Sequence, residues 1–157
     1  MRRRGFNRAK AGQRGSVLIE FALSFLVLFA IFTGAFEFGY AFYAYNTLEN
    51  AVREGARYAS MKPYDSATST PANDFNTAVQ NMVVYSNPSP ANNATPILRG
   101  LSTSNVNLSV SANGGSPTQM TVSISNFSID AVFGTVVLNG NPSVSFPYLG
   151  IPTPPSS

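Results

Sequence analysis

An apolar run from Gly15 to Tyr45 constrains the fold of this chain more than any other feature. Within it, the sixteen residues from Phe21 to Phe36 include no charged side chain. A helix of about 20 apolar residues is long enough to cross the hydrocarbon core of a bilayer. The run therefore predicts a membrane-spanning helix near the N-terminus. The carboxylate of Glu20, close to its start, is costly in lipid and indicates a specific role.

Charge is distributed unevenly around this run. Six of the ten basic residues precede Ser16, whereas the chain from Ser16 onward has four basic and seven acidic residues, a net charge of −3. Positive charge flanking a membrane helix stays in the cytoplasm. The pattern therefore predicts a cytoplasmic N-terminus and an exported C-terminal part. The acidic balance of that part argues against nucleic acid as a partner.

Two stripes run along the predicted helix. Aromatic side chains recur every three or four residues and form one face: Phe21, Phe25, Phe29, Phe32, Phe36, Tyr40 and Tyr43. A second stripe consists mostly of small residues: Ala30, Gly34, Glu37, Ala41, Ala44, Leu48, Ala51 and Gly55. Small faces let helices approach closely in a membrane, so its first five members are predicted packing positions. The alternative is that a span rich in Phe and Ala produces such spacing by chance.

The helix is predicted to continue beyond the membrane-length segment and to cover residues 16–61, because Pro63 ends it. Its distal part is amphipathic, and Glu49 and Arg53 have the spacing of a stabilising pair. Gly55 in a helix interior costs about 1 kcal/mol relative to Ala. That cost indicates close packing at Gly55, either against the protein's own sheet or against a neighbouring subunit.

Residues 62–157 predict a small domain that begins with a turn-rich linker. The segment Asp74–Tyr85 has the apolar period of a short helix, and Asn73 is placed to cap it. The end of the chain, from Pro152, is predicted to be a disordered tail.

The remainder of this domain has the period of β-strands. Val106, Leu108 and Val110 alternate with polar residues, as do Met120, Val122 and Ile124, and Asn113-Gly114-Gly115 lies between the two segments. This is the pattern of a hairpin with one buried face, with Phe127 and Ile129 as a candidate continuation of the second strand. Further strands are predicted at Ala131–Leu138 and Val144–Leu149. The fold class is therefore α+β: a long N-terminal transmembrane helix continuing into a small domain with a short helix and an antiparallel sheet.

The composition argues against an enzyme. The chain has no Cys and no His, which removes the usual nucleophilic triads and the common zinc sites. After Lys62 the only acidic residues are Asp65, Asp74 and Asp130, a poor set for acid–base chemistry. We expect no catalytic residues, no metal, no cofactor and no small-molecule substrate.

Two motifs and one shorter residue pair resemble known proteins. Gly15-Ser16 after a basic segment, with Glu20-Phe21 five residues on, resembles the processing site of type IV pilins. Ala51-Val52-Arg53-Glu54-Gly55-Ala56-Arg57-Tyr58-Ala59 is similar to a stretch that follows the apolar segment in TadE-like proteins. These are pilin-like components of the tight-adherence (Tad/Flp) pilus system. Glu37-Phe38-Gly39 resembles the carboxylate–glycine pair of the same family.

The resemblance implies a role for each group of residues. Residues 1–15 would be a leader removed by prepilin peptidase between Gly15 and Ser16, and Glu20 would pair with the Ser16 amino group of a neighbouring subunit. It adds Gly39 to the packing positions and makes Arg53, Glu54, Gly55, Ala56 and Arg57 a family motif. The implied partners are the bilayer, the peptidase, the major Flp pilin and other TadE- or TadG-like subunits. The implied location is the bacterial inner membrane or a surface pilus, and the fold would be pilin-like.

Two other readings of the apolar run remain open. One is a permanent membrane anchor for an adhesin or binding module, with the leader never cut. The other is an ordinary signal peptide cut near Thr33-Gly34-Ala35, which fits less well because the apolar run continues beyond Ala35. The N-terminal residue of the mature protein distinguishes the three: Ser16, Met1 or Phe36.

Overall fold

The computed structural model of the chain describes residues 12–64, 70–113, 116–131 and 134–150. It has two α-helices and five strands: α1 (Gly12–Met61), α2 (Asn73–Tyr85), β1 (Val106–Asn113), β2 (Ser116–Ile124), β3 (Phe127–Ala131), β4 (Gly134–Leu138) and β5 (Ser143–Pro147), with a 3₁₀ turn at Thr103–Asn105. The predicted α+β class, with a long apolar N-terminal helix, is confirmed. The chain divides into two units, Met1–Gly39 and Tyr40–Ser157.

Helix α1 ends at Met61, as the sequence predicts, because the chain must leave the helix before Pro63. It begins at Gly12, four residues before the predicted start at Ser16. The rest of the predicted leader, residues 1–11, lies outside the described residues, as does the predicted disordered tail from Pro152.

Helix α2 agrees with prediction in position but not in its cap. Asn73 is the first residue of the helix, and the capping position is Ala72, which has no side-chain cap. The prediction that Asn73 caps α2 is therefore wrong. The negative charge of Asp74 in the first turn is favourable beside the positive end of the helix dipole. The helix ends where Ser86 adopts a left-handed conformation (φ 52°).

The predicted hairpin is confirmed. Strands β1 and β2 pair antiparallel, with Val106 opposite Ile124 and Val110 opposite Met120. These four side chains are buried, whereas Asn107 and Ser109 are exposed. The alternation of side chains along the strand therefore separates a buried face from a solvent-exposed face. Strand β5 pairs with the other edge of β2 and completes a sheet of order β1-β2-β5. The predicted turn residues 114–115 lie outside the described range.

Strands β3 and β4 form a separate two-stranded antiparallel sheet. The strand predicted within residues 131–138 is found as β4, but it begins at Gly134, since Ala131 belongs to β3 and pairs with Gly134. Phe127 and Ile129 do not continue β2, contrary to prediction. Asn126 has a φ of 55°, a left-handed conformation that interrupts the extended backbone, so β3 leaves the first sheet there.

One hydrophobic core joins the second half of α1 to α2 and to both sheets. Its fully buried members include Leu48, Val52, Val79, Val83, Met120, Val122 and Ile124. Helix α2 contacts β1, and the Gln80 side-chain amide donates a hydrogen bond to the Val106 carbonyl (3.1 Å). The core is therefore built around the distal part of α1, where one face, from Ala44 to Ala59, is buried in this domain.

The N-terminal helix as candidate functional site

The first part of α1 is an exposed apolar cylinder. Every side chain from Gly15 to Phe32 is solvent-exposed in the isolated chain, including Phe21 at 68% and Phe32 at 69%. An 18-residue window of this helix has a mean hydropathy of 2.3, and none of it is buried. By length and composition the helix is able to cross a membrane. An apolar surface that nothing covers indicates a lipid or protein environment.

The aromatic stripe predicted from the sequence lies on one face of α1. The ring centroids of Phe21 and Phe25 are 6.2 Å apart with planes 24° from parallel. Those of Phe25 and Phe29 are 6.1 Å apart and 22° from parallel. Offset stacking at this spacing is favourable between aromatic rings. The helix therefore presents a ridge of stacked rings from Phe21 to Phe29.

The predicted processing residues all lie within α1. Gly15, Ser16, Glu20 and Phe21 are helical and exposed. No hydrogen bond or ion pair to Glu20 occurs within the described part of the chain. A carboxylate that lies beside an apolar surface and has no partner among the described residues can bind a cation supplied by another molecule or remain in contact with water.

The small-residue stripe divides into two parts with different surroundings. A Cβ added at Gly34 or Gly39 meets nothing within 4 Å, so a second helix has room to approach there. Ala44, by contrast, is completely buried in the chain's own core, and Ala41 packs against that core. Ala44 is therefore not available to a neighbouring subunit. Intermolecular packing remains a prediction for Ala30, Gly34, Glu37 and Gly39.

Gly55 marks the closest approach between α1 and α2. A Cβ at this position would overlap the Val83 side chain and lie 3.7 Å from the Val79 carbonyl oxygen. The sequence predicted close packing against the sheet or a neighbouring subunit; the structure assigns it to the second helix instead. A side chain at position 55 would hold the two helices apart.

The charged members of the same motif lie on the opposite, exposed side of α1. Arg53 forms the predicted pair with Glu49, with 2.7 Å between Nη2 and Oε1. Arg53, Glu54 and Arg57 also line a surface cavity of about 640 Å³ together with Phe146 of β5. The motif thus combines a buried face at Gly55 and Ala56 with a charged outer face.

Residues that sequence reasoning missed hold the C-terminal end of α1. The Ser60 carbonyl accepts hydrogen bonds from the backbone N–H groups of Leu149 (2.9 Å) and Gly150 (3.0 Å). The Tyr148 hydroxyl donates to the Lys62 carbonyl (3.0 Å) and accepts from the Tyr64 N–H (2.9 Å). The bonds to Ser60 satisfy a carbonyl that the helix end leaves without a helical partner, and Tyr148 holds the segment that follows the helix. The partners of the Tyr148 hydroxyl are more than 80 residues away in sequence, so no local pattern predicts these hydrogen bonds.

Burial raises the pKa of the Tyr148 hydroxyl above its ordinary value of 10.0. The hydrogen bond from the Tyr64 backbone acts in the opposite direction and is the smaller effect. The hydroxyl is therefore held in its neutral, donating form.

Together these features define a class of protein: one exposed apolar helix of membrane-spanning length, continuous with a small α+β domain. A family model described as TadE-like protein matches residues 15–57. The match starts at the predicted junction and ends within α1. It covers Gly15 to Phe21 and residues 51–57 of the second motif, so it confirms the TadE-like resemblance and associates the chain with the Tad pilus system. Comparison with curated proteins gave no match, and neither did comparison with solved structures.

Proposed function

We propose that this chain is a minor pilin or pseudopilin of a Tad/Flp type IV pilus, acting in pilus assembly and surface adherence. The observation that carries the proposal is the exposed apolar face of α1 within a TadE-like segment. Such a helix packs against similar helices inside a filament as well as against lipid. The C-terminal domain, which the charge pattern places outside the membrane, would prime, cap or tune the filament.

Prepilin peptidase would cut between Gly15 and Ser16. The cut leaves a positively charged amino group on Ser16, four residues before the Glu20 carboxylate. In an apolar bundle an unpaired charge costs several kcal/mol, so Glu20 of one subunit would pair with the Ser16 amino group of the next. The exposure of Glu20 in the isolated chain supports this arrangement.

The N-terminal residue of the protein extracted from membranes tests the processing step. Intact-mass measurement is expected to give Ser16 as the first residue when the peptidase is present and Met1 when it is absent. Gly15→Leu is expected to retain Met1 under both conditions, whereas the matched variant Gly12→Leu is processed normally. Met1 in the wild-type protein with an active peptidase contradicts the proposal.

The role of Glu20 is tested separately. Glu20→Ala is expected to be cleaved but to enter pili poorly, whereas Ser24→Ala, one helical turn further on, is expected to assemble like wild type. The measurement is the fraction of processed protein recovered in sheared pili. Normal assembly of Glu20→Ala would show that the charge pair is not needed, without removing the protein from the pilus.

The second candidate is a membrane-anchored adhesin or binding module that is never cut. The observation in its favour is that α1 runs without interruption through Gly15-Ser16, from Gly12 onward. The same mass measurement distinguishes it, because an uncut anchor keeps Met1 whether or not the peptidase is present.

A further inference from the structure

The C-terminal unit contains a cavity between the segment that precedes β1 and strand β3. Its volume is about 480 Å³, within the range of roughly 300–1,000 Å³ that small-molecule sites occupy. Its lining comes from three parts of the unit Tyr40–Ser157: Tyr40 itself, residues 98–100 with Asn105, and residues 126–130. None of these residues belongs to the processing junction or to the family motif, so the cavity is a separate candidate site.

Hydrogen bonds of Asn105 hold the walls of this cavity together. Its side-chain amide donates to the carbonyls of Ser125 (3.3 Å) and Asn126 (2.8 Å). Its side-chain oxygen accepts from the Ser102 N–H (3.0 Å). The two walls turn at residues with a positive φ, 84° at Gly100 and 55° at Asn126. Asn105 therefore ties one wall to the other and uses its own polar atoms to do so.

The floor of the cavity is apolar. Leu98, Phe127 and Ile129 line it and are buried members of the core. The Phe127 ring lies beside Gly100, since a Cβ added to that glycine would be 3.9 Å from the ring atom Cε2. Because these side chains are fixed by the core, the floor is rigid and ready to receive an apolar surface.

The rim of the cavity is polar and supplies both donors and acceptors of hydrogen bonds. Arg99 has donors only and Asp130 has acceptors only, whereas the hydroxyl groups of Ser128 and Tyr40 do both. All four residues are exposed.

The folded chain leaves most of this polar capacity unused. Among the described residues, Arg99 and Asp130 form no ion pair with each other, and the side chains of Arg99 and Ser128 have no hydrogen-bond partner. Asp130 accepts one hydrogen bond, from the Thr135 hydroxyl at 3.3 Å. One arginine and one aspartate are the charged residues of the lining, so the rim carries no net charge.

We propose that this cavity binds a neutral saccharide. Each sugar hydroxyl both donates and accepts a hydrogen bond, so one ligand matches both Arg99 and Asp130. The C–H groups on the face of a sugar ring match the apolar floor. An anion would meet the Asp130 carboxylate and a cation would meet the Arg99 guanidinium. A wholly apolar ligand would leave the polar groups of the rim buried without partners, which is costly.

The saccharide gives surface adherence a chemical partner, and that role rests on the proposed function. The binding itself does not, because every lining residue lies in the C-terminal unit. The two are measured separately, glycan binding on the purified protein and pilus assembly as the fraction recovered in sheared pili. Failure of one therefore leaves the other intact.

Saturation-transfer NMR on the full-length protein tests the class of ligand. The detergent is lauryldimethylamine oxide, which has no sugar headgroup to compete for the cavity. Glucose, galactose, mannose and N-acetylglucosamine are the neutral probes, and glucuronate and leucine are the anionic and zwitterionic comparisons. We expect saturation transfer to at least one neutral sugar, strongest at its ring C–H protons, and none to glucuronate or leucine.

Substitutions then locate the site. Arg99→Ala and Asp130→Ala are each expected to raise the Kd of the bound sugar by about tenfold or more, because a hydrogen bond to a charged group is lost. Lys62→Ala and Asp74→Ala are the matched controls, which remove the same charges outside the cavity and should leave the Kd unchanged. Urea unfolding confirms that all four variants remain folded.

Two kinds of result would overturn the proposal. One is the absence of saturation transfer to every neutral sugar, or transfer only to glucuronate or leucine. The other is a Kd that both cavity substitutions leave unchanged, or that the control substitutions raise equally.

Discussion

At the scale of single residues, Gly55 and Tyr148 show how the TadE-like helix is joined to its domain. Gly55 lets the backbones of α1 and α2 meet, and the helix propensity that it forfeits is offset by the burial of Val79 and Val83. Tyr148 joins the end of α1 to the segment that follows β5 through its hydroxyl. One contact depends on the absence of a side chain and the other on a single polar atom. Each can therefore be tested by one substitution.

Gly55→Val is expected to destabilise the domain by about 1–3 kcal/mol, because the added atoms overlap Val83 and force the helices apart. The free energy of unfolding of the full chain in detergent, followed by tyrosine fluorescence in urea, measures the change. Combining Gly55→Val with Val83→Ala should recover part of the loss. Gly39→Ala is the control, since nothing lies near that position. Equal stability of Gly55→Val and wild type would contradict the close contact.

Tyr148→Phe is expected to lower the free energy of unfolding by about 1 kcal/mol at neutral pH, because both hydrogen bonds of the hydroxyl are lost. The exposed Tyr43 provides the control variant Tyr43→Phe, which should unfold like wild type. The same detergent assay applies. A loss confined to Tyr148→Phe identifies the hydroxyl, and not general tyrosine removal, as the stabilising group.

The effect of Tyr148 on stability is also expected to depend on pH. Its pKa is raised by folding, so the folded state retains this proton at a pH where the unfolded chain has lost it. The contribution is therefore complete below the ordinary pKa of 10.0 and is lost as the pH rises through the folded-state value. The stability difference between wild type and Tyr148→Phe should shrink in that alkaline range. A difference that grows with pH would show that the sign is wrong.

At the scale of secondary-structure elements, α1 performs two tasks with one continuous helix. Up to Gly39 its apolar side chains face outward on all sides, whereas beyond Tyr40 one face is buried in a core. The small-residue stripe continues across this change. Its early member Gly34 leaves open space beside the helix, and its later members Ala44, Leu48 and Ala51 are covered by the domain. The same spacing therefore supports packing on different partners.

Leucine-to-alanine substitutions separate these two tasks. Leu48→Ala is expected to cost about 2–5 kcal/mol of domain stability, because Leu48 is fully buried and its loss leaves a cavity. Leu28→Ala, in the same helix at 65% exposure, is expected to leave domain unfolding unchanged. Urea unfolding in detergent measures both. Similar losses at the two positions would mean that the first part of α1 also contributes to the core.

At the scale of the whole molecule, the sequence predicts one orientation across the membrane. The six basic residues before Ser16 should stay in the cytoplasm and the C-terminal domain should be exported. Ser111→Cys, exposed on β1, is therefore expected to react with a membrane-impermeant thiol reagent from the outer side of the inner membrane. A cysteine replacing Ser16 in a peptidase-deficient strain is the control and should not react. The reverse pattern would overturn the orientation.

Much of this architecture follows from local sequence. The apolar run, its aromatic ridge and the Glu49–Arg53 pair depend on spacing within one helix, so periodicity suffices to find them. The β1–β2 hairpin is equally local, since alternation of side chains fixes which face is buried. The TadE-like segment likewise lies within one helix, and its two motifs were sufficient to indicate the family resemblance.

Tertiary contacts decided the rest. The alternation of apolar and polar residues continues past Asn126, and only the pairing of β3 with β4 places Phe127 and Ile129 in a second sheet. Gly55 was recognised as a packing point, but its partner α2 is identified only by the folded chain. The bonds from Leu149 and Gly150 to Ser60 connect segments far apart in sequence. Which residues the domain buries and which it leaves to lipid or a neighbour depends on such distant contacts, and no local period encodes them.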